Sequence, residues 1–385
     1  MPVLVAVAGL AGAVGSTLSA GLLQPPGEAQ QIGLATESPR VRELACSLLP
    51  LDQIRIDGWD LDLRDLSTVC FRHRICPNAI LEAAASRLAT IIPRLGIVPQ
   101  AEHVGDWIQR EASYLRASAQ ARGADSIVVV NLCPTEAGSA HRALRRFDWQ
   151  DLSNLGQSAD CSPSAIYFRL AIEAKAHFIN FTPNPVEIPV MRRAAKKSGI
   201  VYAGRDGKTG QTFIKTTLAP AFRDRNLRID GWFSLNLLGN ADGRTLAKKS
   251  AGRTKISSKR KSLQAIVGYE PASHQIHIHF YPPRGDAKEA WDAIDFSGFM
   301  GIPMQMKIDW LGVDSILAAP VVIDLVRLVV LASERGFSGP LEEAAYFFKD
   351  PIATHAQDPI QHSVPEQFEL LLRFLGNGAT RDARR

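Results

Sequence analysis

The chain has 385 residues, of which 46% are hydrophobic and 22% charged, and its formal net charge is +5. This length and composition predict a globular protein of two domains and exclude an intrinsically disordered chain. The five cysteines form no CxxC pair and are odd in number, which favours a reduced, cytoplasmic setting over a disulfide framework.

The N-terminal segment combines a short apolar run with a glycine turn. Residues 3–8 suit a buried parallel strand, and GLAGAVGST follows before a helical stretch. Glycines let the backbone approach a pyrophosphate, so this order predicts a dinucleotide-binding fold, with a ligand-free turn as the alternative. A signal peptide is rejected because no basic residue precedes the apolar run. No segment reaches about eighteen uninterrupted apolar residues, so no membrane span is predicted.

Further apolar segments predict more strands of a doubly wound sheet. SIVVVN is followed by CPTEA, so Asn131 and Thr135 fall after a strand, where ligands lie in such sheets. GWD ends at Asp60, a candidate ribose partner, with a helix N-cap in WDLDLRD as the alternative. QIGLAT is predicted as the second strand. Glu37, which follows it directly, has the spacing of a 2′-hydroxyl acceptor but is not assigned to the site.

Two polar turns follow, each after an apolar strand. GRDGKTGQT, residues 204–212, overlaps the end of IVYAG, and its glycines allow a tight loop that opens a helix towards Phe222. LNLLGNADG, residues 235–243, places Asn240 and Asp242 where amide and carboxylate groups can hold sugar hydroxyls. The alternatives are a solvated turn for the first segment and a hairpin turn for the second.

A basic run comes next. Eight basic residues and no acidic residue lie between positions 244 and 261. Lys255 and Lys259 are four residues apart, so on a helix they share a face, and a bound phosphate would offset their repulsion. A solvated basic face, a loop ordered by its ligand and a nucleic-acid patch are the alternatives. The last is the weakest because no aromatic residue interleaves the run.

The last informative segment alternates polar and apolar residues and then breaks. HQIHIHF predicts a strand that ends at a Pro-Pro turn, so Asp286 and Lys288 stand where a scaffold strand delivers working side chains. Asp314 begins an apolar stretch that is predicted as a buried helix. His277 and His279 share a strand face, but no other ligand type accompanies them, so no metal site is predicted.

Several of these segments resemble the myo-inositol-1-phosphate synthase family. GRDGKTGQT is similar to the family's GDDxKSGQT, with Arg205 in place of the first aspartate, and LNLLGNADG is similar to its YNHLGNNDG. GDAKEAWD and GVDSILAAPVVIDL are similar to its GDSKxAxD and its closing helix. The glycine turn departs from the family's GxGGNNG, and FTPNP lacks the Gln-Asn-Thr triplet of its FINGSPQNTxVPG.

The resemblance implies an α/β fold in two parts. The first is an NAD-binding doubly wound Rossmann-type domain, residues 1–211 and 314–385. The second is an inserted, sheet-rich α+β catalytic and oligomerisation domain, residues 212–313. The implied cofactor is NAD and the implied substrate a hexose 6-phosphate. A homo-oligomer, by resemblance a tetramer, is expected, with neither nucleic acid nor membrane as a partner.

The resemblance also assigns site residues. The catalytic residues are Lys255, Lys259, Lys288, Asp242, Asp286 and Asp314. Substrate contacts are assigned to Asn236, Leu238, Asn240 and Thr209. Cofactor contacts are assigned to Gly9, Leu10, Gly12, Ala13, Val14, Asp60, Asn131, Thr135, Asp206, Asp286 and Asp314. Lys255 and Lys288 would stabilise oxyanions and transfer protons, Lys259 would serve the phosphate or a proton, and Asn240 and Asp242 would orient the sugar.

The implied reaction is oxidation at C5 of glucose 6-phosphate, enolisation, an intramolecular aldol step and reduction to myo-inositol 1-phosphate, with no net redox. The family has a further active-site lysine before its last helix, and none stands near Ile360. Together with Arg205 and the FTPNP loop, this suggests as an alternative a paralogue that makes a five-membered cyclitol phosphate from fructose 6-phosphate for a specialised-metabolite pathway. A catalytically inactive sugar-phosphate or NAD sensor and a dehydrogenase that releases NADH also remain open.

Overall fold

A computed structural model gives the fold of most of the chain. It describes residues 2–44, 47–97, 103–136, 162–240, 243, 262–355 and 360–376. Asp242, Lys255 and Lys259 lie outside these ranges, so the roles assigned to them stay predictions.

Strands and helices alternate along the first two hundred residues and again near the end. The strands are β1 (Val3–Ala8), β2 (Ile54–Asp60), β3 (Arg94–Leu95), β4 (Ser126–Asn131), β5 (His177–Asn180), β6 (Val201–Gly204), β7 (Arg228–Leu238), β8 (Ser273–Phe280), β9 (Ala287–Ser297), β10 (Pro303–Val313) and β11 (Gly339–Pro340). The helices include α1 (Ala13–Leu23), α2 (Glu28–Gln31), α3 (Pro39–Arg42), α4 (Leu66–His73), α5 (Asn78–Leu88), α6 (Val104–Ala121), α7 (Pro163–Ala174), α8 (Pro189–Lys197), α9 (Gln211–Asp224), α10 (Asp314–Glu334) and α11 (Val364–Gly376).

The larger sheet is parallel and covered by helices on both faces. Its strand order among the described residues is β11-β6-β5-β4-β1-β2-β3. Strand β1 is apolar throughout: Val3, Val5 and Val7 pack towards α1, α4, α5 and α10, and the alternate residues pack towards α6 and α7. Continuous apolar strands are expected where both faces are buried. The strand order is that of a doubly wound Rossmann-type domain, so the predicted fold class is confirmed.

The smaller sheet has the order β10-β9-β7-β8. Strand β7 pairs antiparallel with β9 but parallel with β8, so the alternative of a hairpin turn between β7 and β8 at residues 235–243 is wrong. Helix α9 packs on one face through Ala219 and Phe222, which contact Trp232 and Ile294 in a separate core. We call this the inner face, and the face that carries Phe233 and Leu235 the outer face. Helices α9 and α10 begin beside the predicted domain boundaries, and the division itself stays an interpretation.

The prediction of a strand at QIGLAT is wrong. This segment forms the end of α2, a turn and the start of a short 3-10 helix at Ala35–Glu37, and the second strand of the sheet is β2. The backbone N–H groups of Ala35 and Thr36 donate to the carboxylate of Asp324, 289 and 288 residues away, at 2.8 and 3.1 Å. The Glu37 carboxylate lies 2.6 Å from the Arg327 guanidinium. Glu37, which has the spacing of a 2′-hydroxyl acceptor, therefore forms an ion pair within the protein.

Helix α10 is the most apolar long helix of the described chain. By length and composition it could cross a membrane, but 78% of its most apolar window is buried inside the protein. It packs against α1 and the parallel sheet, as the core helix of a globular domain does.

The buried Asp324 on this helix makes stability depend on pH. Burial raises the pKa of Asp324 from 3.8 to about 6. Because the folded pKa exceeds the unfolded one, the folded state binds the extra proton between these values, and stability falls as pH rises through 6. We expect the wild type to lose about 1 kcal/mol more unfolding free energy than Asp324→Asn between pH 5 and pH 8. Urea unfolding at both pH values measures this, and equal losses would contradict it.

Candidate functional site

A cleft with a volume of about 300 Å³ lies between the two sheets. Residues that follow β1, β4, β5 and β6 form one wall, and the ends of β7 and β9 with the start of α10 form the other. The strand order reverses between β1 and β4, and ligands of doubly wound sheets bind at this switch point.

The glycine turn after β1 is closely packed against the backbone. Gly9 has a φ of +91°, and a Cβ added there would lie 3.1 Å from the carbonyl oxygen of Leu132. A Cβ on Gly15 would lie 2.5 Å from the oxygen of Leu10 and 2.7 Å from that of Gly9. Gly12 caps α1 without a side-chain bond, and no acidic residue stands in the first helical turn. The turn therefore fits the pyrophosphate of a dinucleotide, which helix N-terminal N–H groups favour.

Asp60 supports this turn from the end of β2. Its Oδ2 accepts the N–H of Ala11 at 2.8 Å, and its Oδ1 accepts the N–H of Leu61 at 2.8 Å. The N-cap of α4 is Asp65, whose Oδ1 accepts the N–H of Thr68 at 3.0 Å, so the N-cap alternative for Asp60 is wrong. Asp60 lies beside the glycine turn, and its predicted contact with a ribose stays a prediction.

Two residues predicted to contact the cofactor, Leu10 and Asn131, have side chains buried below the cleft. Leu10 and Asn131 are both 0% exposed, and neither side chain lines the cleft. The Asn131 Nδ2 donates to Asn180 Oδ1 at 3.2 Å and to Thr182 Oγ1 at 3.4 Å. Asn131 therefore holds the loops after β4 and β5 together. Thr135, Gly9, Gly12, Ala13 and Val14 line the cleft, and their contacts with a cofactor stay predictions.

A cluster of charged and polar groups occupies the wall opposite the glycine turn. The Lys288 Nζ lies 3.1 Å from Asp314 Oδ1, and Thr209 Oγ1 donates to the same oxygen at 3.4 Å. The Asn240 Nδ2 lies 3.3 Å from Asp286 Oδ1 and 3.5 Å from Asp314 Oδ2. These five residues, all predicted for the site, come from four separate segments, and the fold brings them together.

Asp286 positions the start of α10. Its carboxylate accepts the N–H of Ser315 at 2.8 Å and the hydroxyl of Ser315 at 3.1 Å, and its carbonyl accepts the N–H of Asp314 at 3.0 Å. Burial, and to a smaller extent the like charge of Asp314, raises the pKa of Asp286. Asp286 does not line the cleft itself, so its contacts favour a role in orienting Asp314.

The floor of the cleft contains two buried polar atoms with no partner in the described chain. They are Asn236 Oδ1 and Thr212 Oγ1, and both residues line the cleft. Buried polar groups are nearly always hydrogen-bonded, so such atoms indicate where a ligand supplies the missing partner. Asn236 and Leu238 were predicted as substrate contacts, and the cleft contains both.

A lysine from the C-terminal segment lines the cleft, although none stands near Ile360. Lys349 lines the cleft, and its Nζ lies 2.8 Å from Asp206 Oδ1. Its backbone N–H also donates to the carbonyl of Asp206 at 2.8 Å. In the segment YFFKDP this lysine directly follows two buried aromatic residues, Phe347 and Phe348, a local signal that could have pointed to it.

Arg205 lies outside the cleft. Its Nε lies 2.8 Å from Asp350 Oδ2 and its Nη1 3.2 Å from Glu187 Oε2, and Arg205 does not contribute to the lining of the cleft. These two acids accommodate the substitution locally, so Arg205 is no evidence for a changed substrate. Phe181, Thr182 and Pro183 of the altered FTPNP loop do line the cleft.

Two buried lysines near the site were not predicted. The Lys208 Nζ donates to Gln367 Oε1 at 2.5 Å, and burial, with the like charge of Lys349, lowers the pKa of Lys208 to about 7. Lys215 lies on the inner face of the smaller sheet, where burial lowers its pKa to about 7. Lys208 ties the loop after β6 to helix α11, which helps to fix Asp206.

His277 and His279 lie on the outer face of the smaller sheet, away from the cleft. Their ring centroids are 6.4 Å apart, and the His277 ring is 5.0 Å from that of Phe233. Within the described ranges, no group of three His, Cys, Asp or Glu residues could hold a metal ion.

Comparison with known proteins identifies the family. A family model described as myo-inositol-1-phosphate synthase matches residues 210–315. The chain is 30% identical over 97% of its length to inositol-3-phosphate synthase 1 of Bacteroides thetaiotaomicron, of which it covers 94%. The chain belongs to the inositol-3-phosphate synthase family.

Solved structures share the fold of this inositol-3-phosphate synthase family member. The crystal structure of inositol-3-phosphate synthase from Caenorhabditis elegans matches with a TM-score of 0.85 at 20% identity, over 100% of this chain and 87% of that one. A myo-inositol-1-phosphate synthase-related protein from Thermotoga maritima matches with a TM-score of 0.73 at 21% identity, over 97% and 98%.

Lys349 is expected to matter for turnover in this inositol-3-phosphate synthase family member. Lys349→Ala should lower kcat/KM for the sugar phosphate about tenfold or more, because the cleft loses a positive charge close to an anionic ligand. Lys349→Arg should retain most of the activity. Steady-state kinetics with both variants measures the effect, and a Lys349→Ala value within twofold of wild type would contradict the expectation.

Proposed function

We propose that this chain converts glucose 6-phosphate to myo-inositol 1-phosphate by NAD-dependent intramolecular cyclisation. The observation that carries the proposal is one cleft that combines a dinucleotide-type glycine turn with the group of Lys288, Asp314 and Asn240. Family membership supports a sugar phosphate as substrate.

The residues of the glycine turn fit the cofactor. Gly9, Gly12, Ala13 and Val14 would hold its pyrophosphate at the start of α1. When bound, NAD supplies reversible oxidation and reduction at C5 of the sugar, so the overall reaction has no net redox change. The cleft continues from this turn to Lys288, which favours a sugar bound between the cofactor and the lysine.

The lysines of the cleft suit a substrate that is anionic and gains further negative charge on its oxygens. Lys288 would stabilise an alkoxide or enolate oxygen and carry a proton, while Asp314 holds its ammonium in place. Lys349 adds a second positive charge, and Asn240 would orient sugar hydroxyls. Lys255 and Lys259, outside the described residues, are proposed to complete this set.

Phosphorus NMR of the purified protein with NAD, incubated with glucose 6-phosphate or with fructose 6-phosphate, tests the proposal. A new cyclitol phosphate from glucose 6-phosphate would support it. Product from fructose 6-phosphate alone would replace it with the five-membered-ring alternative, which no described contact favours. No conversion of either would contradict cyclisation, and net NADH absorbance would indicate a dehydrogenase.

We also infer a homo-oligomer assembled through the smaller sheet. Strand β10 is an edge strand that exposes apolar side chains, including Leu311 at 64%, and the adjoining Phe299 is 89% exposed. Exposed apolar edges of this kind are typical of subunit contacts. Size-exclusion chromatography with light scattering tests this, and a monomer at micromolar concentration would contradict it.

A cytoplasmic setting stays a prediction, and Cys70, Cys76 and Cys133 are free thiols.

A further inference from the structure

A chain of buried polar side chains runs from the inner face of the smaller sheet to the floor of the cleft. Asp292 Oδ1 accepts the indole N–H of Trp232 at 2.8 Å and the hydroxyl of Ser234 at 2.5 Å. The Gln211 Nε2 lies 3.3 Å from Oδ1 and 3.2 Å from Oδ2 of Asp292. The Nδ2 of Asn236 donates to Gln211 Oε1. All of these residues except Trp232 are polar, and all five are buried.

The Asp292 carboxylate sets the donor-to-acceptor direction of these hydrogen bonds. An ionised carboxylate can only accept hydrogen bonds, so Gln211 must turn its amide N–H groups towards Asp292. Its oxygen is then left to accept from Asn236, which must use its own amide nitrogen for this bond. Asn236 therefore presents Oδ1 to the cleft, and this atom is buried with no partner in the described chain.

Lys215 reinforces this arrangement from the far side. Its Nζ lies 3.2 Å from Ser234 Oγ and 2.8 Å from His274 Nε2, and its ammonium is 5.0 Å from the centre of the Trp232 ring. The hydroxyl of Ser234 accepts from Lys215 and so gives its own hydrogen to Asp292. Asp292 is 1% exposed and Lys215 2% exposed, so both side chains are shielded from water.

We propose that Asp292 is a positioning residue that makes Asn236 a hydrogen-bond acceptor for a hydroxyl donor of the bound sugar phosphate. Asp292 does not line the cleft, so it acts through Gln211 and Asn236. This inference rests on the proposed function because it takes the sugar phosphate as the ligand of the cleft. It predicts that replacing one carboxylate oxygen of Asp292, two side chains away from the cleft, changes Asn236 from a hydrogen-bond acceptor to a donor there.

Asp292→Asn makes that change. The amide oxygen of the introduced asparagine would take the Oδ1 position, where Trp232 and Ser234 donate, so its amide nitrogen would face Gln211. Gln211 would then turn its oxygen to this donor and its N–H groups to Asn236. Asn236 would present an N–H donor to the substrate hydroxyl, and kcat/KM should fall about tenfold to hundredfold.

Asp295→Asn on the same strand is the matched control. Asp295 is exposed and accepts from Gln305 at 2.7 Å, so its replacement leaves the buried chain of side chains untouched. We expect its kcat/KM to stay within about twofold of wild type, since exposed pairs of this kind contribute little.

A second change should restore the original polarity. In the double variant Asp292→Asn with Gln211→Glu, the new carboxylate accepts from the introduced asparagine on one side and from Asn236 on the other, so Asn236 again presents its oxygen. Gln211→Glu alone would oppose the Asp292 carboxylate and should impair the protein. The double variant is expected to exceed both single variants at least about tenfold in kcat/KM and to unfold at a higher temperature than either.

The kinetics of wild type, both single variants, the double variant and the control with NAD and glucose 6-phosphate decide the proposal. Rescue in the double variant supports it, because a merely structural loss would be deepened by a second change. An Asp292→Asn value within threefold of wild type, or a double variant no better than the worse single variant, overturns it while leaving the proposed function intact. A wild type that converts no hexose phosphate overturns both. If the single variants do not fold, folding and turnover of the double variant decide in the same way.

Discussion

Lys288→Ala is expected to lower kcat by about 10²- to 10³-fold with glucose 6-phosphate, the largest effect on turnover that we predict for a described residue. Lys288 lies at the start of β9, its Nζ is 3.1 Å from Asp314, and its side chain is 13% exposed in the wall of the cleft. A positive charge held in a partly dry site stabilises developing oxyanions far more than one in water. Alanine removes that charge without altering the strand.

NAD binding separates this effect from a loss of structure. The glycine turn lies on the opposite wall, so Lys288→Ala should bind NAD within about threefold of wild type by fluorescence titration. Lys307→Ala is the matched control, because Lys307 lies on the neighbouring strand β10 and is exposed. Near-normal turnover by Lys288→Ala, or an equal loss in Lys307→Ala, would show that Lys288 has no part in the chemistry.

Gly15→Ala should have the largest effect on cofactor binding. The added methyl group would lie 2.5 Å from the oxygen of Leu10 and 2.7 Å from that of Gly9, and both are backbone atoms that cannot move aside alone. The glycine turn must therefore shift away from the position that holds a pyrophosphate. We expect NAD affinity to fall at least about tenfold and stability to fall by about 1 to 3 kcal/mol.

Gly21→Ala in the same helix provides the comparison. A Cβ at Gly21 meets nothing within 4 Å, so alanine should raise stability by up to about 1 kcal/mol and leave NAD affinity unchanged. Isothermal titration with NAD and thermal unfolding of the two variants give both quantities. A Gly15→Ala protein that binds NAD as tightly as Gly21→Ala would mean that the turn does not hold the cofactor.

The fold was predictable where local pattern and burial agree. Strands β1, β4 and β6 are continuous apolar runs next to glycine or polar turns, and their burial on both faces explains that composition. QIGLAT failed because its structure depends on Asp324, almost 290 residues away in the chain, which accepts its backbone N–H groups. The local sequence of QIGLAT cannot predict a contact with a residue so far away in the chain.

The candidate site was predictable where motifs stand at the ends of elements. Asp286 and Lys288 are near neighbours in the sequence, and Asp314, 26 residues after Lys288, joins them at one junction of strand and helix. Lys349 was missed because only the fold brings it beside Asp206, which lies 143 residues earlier in the chain. The link from Asp292 to Gln211 and Asn236 was missed for a physical reason. Strand β9 carries several charged residues, and only the fold shows that Asp292 is buried among polar partners from other segments.

The start of three helices at one cleft has an electrostatic consequence of its own. Gly12, Gly210 and Asp314 stand at the N-terminal ends of α1, α9 and α10, and all three line the cleft. Each helix end carries the equivalent of about half a positive charge from its peptide dipoles. The main chain supplies this part of the attraction for an anion. Neither the deprotonation nor the replacement of a lysine removes it. Lys288→Ala and Lys349→Ala should therefore keep a residual affinity for inorganic phosphate, which salt weakens.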